Sequence, residues 1–362
     1  MQEKKPNLPF VAVDLFCGGG GLTEGLKQAG FFVCAGVEVD REAAGVYSDN
    51  NPQARTFLCD IKKLTAKKLL ESSPTKTIDL IAACPPCQGF SSLTYRYKRE
   101  DHRNQLIFEF VRIVKEAMPK TIMMENVPGL ASGRGKCLFT QAKGLLEDLG
   151  YSIQFKIVDV ANYGVPQHRR RLVLLGALGK GVSVPEGGYG KGKKDWNTVL
   201  GTIENLPTPS IFSSKVQRGD LGSTWHVIRN ISKVNIERLK TIKEGGDRFQ
   251  IPDSLRPACH KGKDKGFQNV YGRMRWNEPS PTITGGFTTL SKGRFGHPVE
   301  NRTISVLEGA LLQTFPEDYI FRTNNLDTTC KIIGNALPPL FAKEMAGECL
   351  RILQEEKNEL QS

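Results

Sequence analysis

The sequence predicts an α/β protein with a doubly wound, mostly parallel sheet and a smaller second domain of strands and loops. Three observations support this prediction. Short apolar segments alternate with helical ones through the first half, and glycines directly follow the first apolar segment. After Gly179 the amino-acid composition changes, and the chain becomes polar and rich in glycine, lysine, proline and serine. Alternating strands and helices are typical of parallel sheets covered by helices on both faces.

Six short apolar segments are predicted to be buried strands. They are residues 10–15, 31–37, 77–83, 121–124, 151–160 and 171–177. Four segments have helical spacing, and the first two end at Pro119 and Gly150, residues that stop helices. These segments are residues 106–118, 141–149, 305–314 and 338–355. The last one is long enough to pack back on the first domain.

The change of composition predicts how the chain is organised. Residues 1–180 are expected to form the catalytic and cofactor-binding domain, because they contain the strand–helix alternation and the glycine loop. Residues 181–300 are expected to form the smaller domain. Residues 301–362 are expected to be a helical segment that returns to the first domain.

Charge and cysteine content limit the partners and the compartment. The 362 residues carry 50 Lys and Arg against 38 Asp and Glu, a formal net charge of +12. This excess favours a polyanionic partner such as nucleic acid. No apolar run approaches the length of a membrane span, and the first residues have no apolar signal region. Nine irregularly spaced cysteines are typical of reduced thiols, so we expect a cytoplasmic protein without a membrane partner.

The glycine run Gly18–Gly21 lies between the first predicted strand and a helix, where a ligand can approach the backbone. The Gly-x-Gly-x-x-Gly pattern of nicotinamide dinucleotide sites fails, because Thr23 and Glu24 occupy the last position in its two possible frames. Glu38 ends the next strand and can accept the ribose hydroxyls of a nucleoside. Asp60 can face an adenine amino group. The sequence therefore predicts a nucleoside-containing ligand other than a nicotinamide dinucleotide.

A second loop, Cys84-Pro85-Pro86-Cys87, follows the third predicted strand. Two cysteines at this spacing could form a redox pair or half of a zinc site. Zinc would need a second pair, and the Cys259-His260 dipeptide has poor spacing for it. A free thiol in a loop stiffened by proline, just before small residues, fits a nucleophile better.

Six segments, in chain order, resemble motifs of the DNA (cytosine-5) methyltransferases, in particular the bacterial modification methylases. They are residues 14–21, the Pro-Pro-Cys-Gln-Gly-Phe-Ser segment 85–91, Glu-Asn-Val 125–127, Gln-His-Arg-Arg-Arg 167–171, residues 273–285 and Gly-Asn-Ala 334–336. The resemblance spans roughly residues 10–345 and implies a Rossmann-like fold that binds S-adenosylmethionine. It also implies transfer of a methyl group to C5 of a flipped-out cytosine in a specific duplex DNA sequence. Ala336 stands where relatives often have serine, which removes a hydroxyl contact to the cofactor.

The resemblance implies a role for each matching residue. Cys87 attacks C6 of cytosine, Glu125 binds N3 and the 4-amino group, and Arg169 and Arg171 bind the pyrimidine O2 and a phosphate. The implied cofactor-binding residues are Phe16, Gly18, Gly20, Gly21, Glu38, Asp60, Pro86, Asn335 and Ala336. The implied DNA-binding residues are Gln88, Ser91, Gln167, Arg229 and Arg273. No metal is expected.

Sequence specificity is expected to lie in residues 180–272, the target-recognition region by resemblance. Candidates for groove or phosphate contacts there are His226, Arg229, Arg238, Arg248, Arg256, Lys261, Lys263 and Lys265. We expect a monomeric, nucleoid-associated enzyme that acts on double-stranded DNA, with a cognate restriction endonuclease acting separately. Two alternatives stay open: the same chemistry on tRNA, and a DNA-binding relative that has lost catalysis.

Overall fold

A computed structural model describes residues 9–86, 105–212, 225–262, 266, 268–323 and 325–360. The chain divides into two compact units. The first contains Met1–Val158, Arg170–Glu186 and Pro339–Ser362, and the second contains Asp159–Arg169 and Gly187–Pro338. The last helix therefore lies in the same unit as the N-terminal half, while residues 301–338 lie in the second unit. Which unit performs catalysis and which recognises DNA stays a prediction.

The first unit is built on a seven-stranded sheet, with strand order β3-β2-β1-β4-β5-β7-β6. Its strands are β1 Val11–Leu15, β2 Phe32–Glu38, β3 Arg55–Leu58, β4 Leu80–Ala83, β5 Thr121–Asn126, β6 Tyr151–Asp159 and β7 Arg170–Leu178. The pairs β3–β2, β2–β1, β1–β4 and β4–β5 are parallel, and β5–β7 is antiparallel. This confirms the predicted α/β class and its mostly parallel sheet.

Ten α-helices occur in the described part of the chain. They are α1 Gly21–Ala29, α2 Arg41–Asn50, α3 Ala66–Ser72, α4 Leu106–Ala117, α5 Lys136–Asp148, α6 Leu200–Ile203, α7 Lys233–Lys240, α8 Val306–Leu312, α9 Leu326–Asn335 and α10 Pro339–Glu359. None of these helices has both the length and the apolar composition needed to cross a membrane.

The burial of the strands explains why the centre of the sheet is predictable and its edge is not. Every residue of β1, β4 and β5 is buried, and most of these residues are apolar, as expected of strands covered on both faces. The edge strand β3 mixes polar and apolar residues, and its sequence does not predict a strand. Helix α9 is likewise absent from the predicted elements, because the polar residues 327–329 interrupt its apolar pattern.

Close packing of α1 on α10 attaches the C-terminal helix to the first unit. A Cβ atom at Gly25 would lie 2.4 Å from the Ala342 Cβ and 2.5 Å from the Pro339 carbonyl oxygen. No side chain fits in this space, so glycine permits the close approach of the two helices. In this arrangement the last helix packs on α1 of the N-terminal half.

The second unit has little regular sheet in its described part. Two short parallel strands, β8 Ser210–Ile211 and β9 Val227–Ile228, pair with each other. Helices α6 to α9 and long loops make up the rest. A small apolar cluster around Leu239, Ile242, Ile251 and Leu290 supports these loops.

Candidate active site

The predicted site residues of the first unit lie where the parallel strands end. The glycine loop follows β1, Glu38 ends β2, Cys84 follows β4, and Glu125 belongs to the end of β5. Loops at the carboxyl ends of parallel strands are where such sheets bind ligands. The parallel pairing of β2, β1, β4 and β5 therefore brings together residues that are far apart in the sequence.

The glycine loop has a backbone that glycine makes possible. Gly18 and Gly20 have φ values of 54° and 94°, in the left-handed region. A Cβ atom at Gly18 would meet nothing within 4 Å, so open space lies beside this residue. Phe16, just before the loop, has a φ of 63° and packs partly against the core. Gly21 begins α1, so the backbone of the loop lies beside a helix N-terminus.

Glu38 links the glycine loop to the end of β2. Its Oε2 accepts a hydrogen bond from the Gly18 amide at 2.9 Å, and its Oε1 accepts from Val39 and Asp40 at 2.8 Å each. These amides orient the carboxylate, and Oε2, which has only one donor, keeps acceptor capacity. Asp60 begins a short helical turn, where its side chain accepts from the Lys62 amide at 3.0 Å. Both predicted acids thus lie at strand ends of the first unit.

Asp14 is a buried acid beside this loop, and no sequence motif assigns it a role. Its Oδ2 accepts a hydrogen bond from the Thr23 hydroxyl at 2.7 Å. Its Oδ1 has no hydrogen-bond partner among the described residues. Burial raises the pKa of Asp14 from 3.8 to about 7, although hydrogen bonds from Thr23 act in the opposite direction.

We expect Asp14 to make the stability of the ligand-free protein depend on pH. Between about pH 4 and pH 7 the folded protein retains a proton that the unfolded chain has lost, so the unfolding free energy falls as the pH rises. The contribution is about 1.4 kcal/mol per pH unit, or roughly 4 kcal/mol across this window. Asp14→Asn cannot titrate and should lack this contribution. Chemical denaturation at pH 4.5 and pH 8 tests it, and equal pH dependence in both proteins would contradict it.

The segment after β4 is held against the end of β5. The Asn126 side-chain amide donates to the Pro85 carbonyl oxygen at 3.0 Å, and its Oδ1 accepts from the Val127 amide at 2.8 Å. The Cys84 amide donates to the Leu15 carbonyl oxygen at 3.2 Å. Asn126 therefore positions the segment that leads to Pro86 and the predicted nucleophile.

Burial raises the pKa of the Cys84 thiol well above its usual range, and the nearby charges of Glu125 and Asp14 raise it further. A hydrogen bond with Glu125 also favours the neutral thiol. Cys84 is therefore a poor nucleophile. Cys87, Gln88 and Ser91 lie outside the described residues.

Glu125 forms an ion pair with Arg171, with 2.5 Å between Oε1 and Nε. Both side chains are mostly buried, at 10% and 14% exposure. The pair arises from the topology, because β7 runs antiparallel to β5 and thus begins where β5 ends. The guanidinium of Arg171 is further held by the Arg170 carbonyl oxygen at 2.8 Å. The structure thus brings together two of the residues predicted to act on cytosine.

The remaining motif residues lie in the second unit, where they connect three of the predicted motifs. Gln167 donates to the Gln313 Oε1 at 2.7 Å and accepts from the Ile283 amide at 2.8 Å. Arg169 donates to the carbonyl oxygens of Ile283 at 2.8 Å and Gly334 at 2.9 Å. Both side chains are buried. In this arrangement Gln167 and Arg169 connect segments of the unit, and their predicted contacts with DNA and cytosine stay predictions.

Arg273, which is predicted to bind DNA, also has internal contacts. It is 3% exposed and donates to the carbonyl oxygens of Leu239, Ile242, His297 and Glu300 and to the Asn301 side chain. These bonds use the guanidinium for internal contacts, and the predicted DNA contact of Arg273 stays a prediction. A loop-rich unit leaves many carbonyl groups without sheet or helix partners, and a buried arginine can satisfy several of them.

Several target-recognition candidates have internal contacts of the same kind. Arg248 is 1% exposed and donates to the Gly266 carbonyl oxygen, and Arg238 and Arg256 donate to carbonyl groups of residues 249–255. Both ring nitrogens of His226 have protein partners. Arg229 is partly exposed and pairs with Asp327, and Lys261 is exposed. Lys263 and Lys265 lie outside the described residues.

Asn335 and Ala336 belong to the second unit, at the end of α9. Asn335 is exposed and Ala336 is half-buried. The turn is held by Gln313, whose amide donates to the Ile333 carbonyl oxygen at 2.6 Å. Gly334 has no room for a side chain, since a Cβ atom would lie 2.2 Å from the Thr284 carbonyl carbon. The Gly-Asn-Ala motif thus has a packing reason for its glycine and leaves the asparagine accessible.

Val39 is a candidate contact that no sequence motif indicates. It follows Glu38 directly and is 70% exposed, which is unusual for a large apolar residue beside a ligand loop. No pattern in the sequence distinguishes it from a core valine. Within the described ranges, no three His, Cys, Asp or Glu side chains are grouped as a metal site would require.

The sheet, the glycine loop and the acid at the end of β2 are features of S-adenosylmethionine-dependent methyltransferases. Residues 10–351 match the family model described as C-5 cytosine-specific DNA methylase. The chain belongs to this family, which confirms the resemblance drawn from its motifs and makes it a DNA (cytosine-5) methyltransferase by class.

Among characterised relatives, the chain is 35% identical over 347 residues to type II methylase M.HgiDII of Herpetosiphon aurantiacus, covering 94% of this chain and 95% of the relative. It is 33% identical to type II methyltransferase M1.HphI of Haemophilus parahaemolyticus, covering 94% and 86% respectively. Among solved structures, a prophage-encoded E. coli protein assigned as a DNA modification methyltransferase matches with a TM-score of 0.72 and 24% identity, covering 95% of this chain and 99% of that one. That last likeness concerns the fold alone.

Proposed function

We propose that this protein transfers a methyl group from S-adenosylmethionine to C5 of a cytosine flipped out of a specific duplex DNA sequence. The observation that carries the proposal is the Glu125–Arg171 pair beside the segment that leads to Cys87. An acid oriented by an arginine at the end of β5 is suited to hold a pyrimidine ring by its N3 edge. Membership of the C-5 cytosine-specific DNA methylases supports the same reaction.

The residues around the glycine loop fit this cofactor. The open space beside Gly18 lets a ligand approach the backbone, and the Glu38 carboxylate retains acceptor capacity for ribose hydroxyls. The orphaned Oδ1 of Asp14 could accept a hydrogen bond, and exposed Val39 offers apolar surface to a purine ring. We propose that Phe16, Gly18, Gly20, Gly21, Glu38, Asp60 and Pro86 contact the cofactor. When bound, S-adenosylmethionine supplies an electrophilic methyl group.

The proposed chemistry follows from the weakness of cytosine C5 as a nucleophile. Attack of the Cys87 thiolate forms a bond to C6 and moves an electron pair toward N3 and C5, so that C5 can accept a methyl group. The Glu125 carboxyl group forms a hydrogen bond with the N3 edge of the cytosine ring and offsets the negative charge that develops there. Arg171 fixes the position of Glu125. Loss of the C5 proton to water then restores the double bond and releases the thiolate.

We expect Glu38→Ala to weaken S-adenosylmethionine binding by about 1–3 kcal/mol, the cost of leaving polar partners unmatched. Isothermal titration calorimetry measures this change. Asp49→Ala removes an exposed acid from α2 and serves as a charge-matched control that should bind normally. Since Glu38 also binds the Gly18 amide, thermal unfolding should be recorded for each variant. Unchanged cofactor affinity in folded Glu38→Ala would remove this residue from the site.

The function is tested by methylation assays with labelled S-adenosylmethionine on duplex DNA and on tRNA. Bisulfite sequencing of DNA from cells expressing the protein would then identify the modified cytosine and its sequence context. Methylation of tRNA alone would favour the second candidate substrate, and no methylation of either would contradict the proposal. The named relatives are type II methylases, which supports double-stranded DNA as substrate and a separately acting restriction endonuclease as partner. We also propose that the enzyme is monomeric, cytoplasmic and associated with the nucleoid.

A further inference from the structure

His168 of the second unit is a partly exposed imidazole held in one orientation. Its side chain is 42% exposed, although its neighbours Gln167 and Arg169 are buried. The ring Nδ1 lies 2.9 Å from the Asp159 Oδ2. A carboxylate at this distance fixes the ring and favours a proton on Nδ1. Nε2 then becomes the nitrogen available to a ligand.

The carboxylate of Asp159 is itself fixed. Its Oδ1 accepts hydrogen bonds from the Arg169 amide at 2.9 Å and the Ala161 amide at 3.2 Å. These two bonds orient Oδ2 toward the ring. Asp159 therefore acts as a support for His168, in the way that a neighbouring carboxylate selects the tautomer of a functional histidine.

The backbone of His168 and its ring are also restrained. The His168 amide donates to the Ser280 carbonyl oxygen at 2.9 Å, and the Thr282 hydroxyl donates to the His168 carbonyl oxygen at 2.7 Å. The Trp196 ring packs edge-on, with centroids 4.9 Å apart. The Trp196 indole is anchored by the Asn162 Oδ1 at 3.1 Å. Such restraint exceeds what a solvated surface histidine requires.

The surroundings favour an anionic ligand. Among the described residues, Nε2 of His168 has no hydrogen-bond partner. Trp196 belongs to an exposed loop that also carries Lys191, Lys193 and Lys194, with Asp195 as its acid. A protonated imidazole donates from Nε2, and a charged donor on a basic surface binds a phosphate oxygen well.

We propose that His168 binds a backbone phosphate of the DNA substrate through Nε2, with Asp159 as the residue that positions the ring. This inference rests on the proposed function, because it names a contact to the proposed substrate. A phosphate is favoured over a base edge, since a charged donor in a basic region is suited to the charge that every nucleotide carries. His168 would add one phosphate contact.

The experiment measures duplex DNA binding as a function of salt, with the full-length protein and a duplex that it methylates. A phosphate contact changes the slope of log K against log salt by about 0.9. His168→Gln should therefore show a slope about 0.9 smaller than the unmodified protein. His168→Lys, which keeps a cationic donor at this position, should restore the steeper slope.

Two further variants separate this role from a structural one. Lys120→Gln removes a cation that pairs with Glu356 in the first unit, and it should leave the slope unchanged. Asp159→Asn removes the carboxylate that holds the ring, and it should reduce the slope toward that of His168→Gln. Thermal unfolding verifies that each variant is folded.

The outcomes distinguish the two proposals. If the unmodified protein neither binds nor methylates duplex DNA, the proposed function itself fails. If it does both and His168→Gln keeps the full slope, the phosphate contact is overturned alone. A uniform loss of affinity in His168→Gln, with an unchanged slope and no rescue by lysine, would also overturn it.

Discussion

A Cys87→Ser protein is expected to transfer no methyl group while it still binds S-adenosylmethionine and DNA. Serine forms an alkoxide far less readily at neutral pH than cysteine forms a thiolate, so the attack on C6 is lost. The resemblance of residues 85–91 to the catalytic segment of the family assigns this role to Cys87. Methylation kinetics and binding measurements on the same preparation test the prediction.

Cys84 provides the matched control three residues away. Burial and the charges of Glu125 and Asp14 hold the pKa of its thiol well above the usual range, so it is unsuited to attack. A serine hydroxyl at this position can still donate to Glu125. Cys84→Ser should therefore retain activity within about tenfold, on the scale of one hydrogen bond. A redox pair or a zinc site would require both cysteines equally.

A duplex with 5-fluorocytosine at the target provides the positive test. After methyl transfer the fluorine cannot leave as a cation, so elimination stalls and the protein stays bound to DNA through sulfur. The adduct should survive denaturing electrophoresis, require S-adenosylmethionine and map to Cys87 by mass spectrometry. Full methylation by Cys87→Ser, or an adduct at Cys84, would contradict the assignment.

Glu125→Gln is expected to lower kcat by about 10²–10⁴-fold, the range for a positioned acid or base, with binding of cofactor and DNA retained. Glutamine is similar in size, so the packing beside Arg171 is preserved while the carboxyl group, and with it acid–base chemistry at N3, is lost. Single-turnover methylation isolates the chemical step. Glu109→Gln, which changes another Glu–Arg pair on the surface of α4, is the control that should keep full activity.

Arg171→Leu tests the same ion pair by removing the arginine instead of changing the glutamate. Removal of one partner leaves Glu125 mostly buried without its cation, which typically costs about 3–5 kcal/mol. We expect this variant to lose both stability and activity, whereas Glu125→Gln loses activity at nearly normal stability. Equal stability and full activity in both variants would show that the pair has no role in the reaction.

Much of the first unit is predictable from the sequence. The buried strands are mostly apolar and the functional residues follow the predicted segments directly, so the strand pattern alone places Glu38, Cys84 and Glu125 at one edge of the sheet. Asp60 follows β3, which the sequence does not predict. Helix α5 begins at Lys136, earlier than predicted, because Phe139 and Ala142 continue its buried face. The pattern of apolar residues predicts an element least well where that element is exposed, as β3 is, or where it begins with polar residues, as α9 does.

Motif membership, the order of the blocks and the chemistry of the glycine and cysteine loops thus required only the amino-acid sequence. Whether an arginine is available to a ligand depended on contacts that the sequence does not display. Arg169 donates to Ile283 and Gly334, and Arg273 to carbonyl groups of four other residues, while Arg171, only two positions from Arg169, pairs with Glu125. A guanidinium is equally suited to phosphates, carboxylates and backbone carbonyls, and folding alone determines which of these lies within reach.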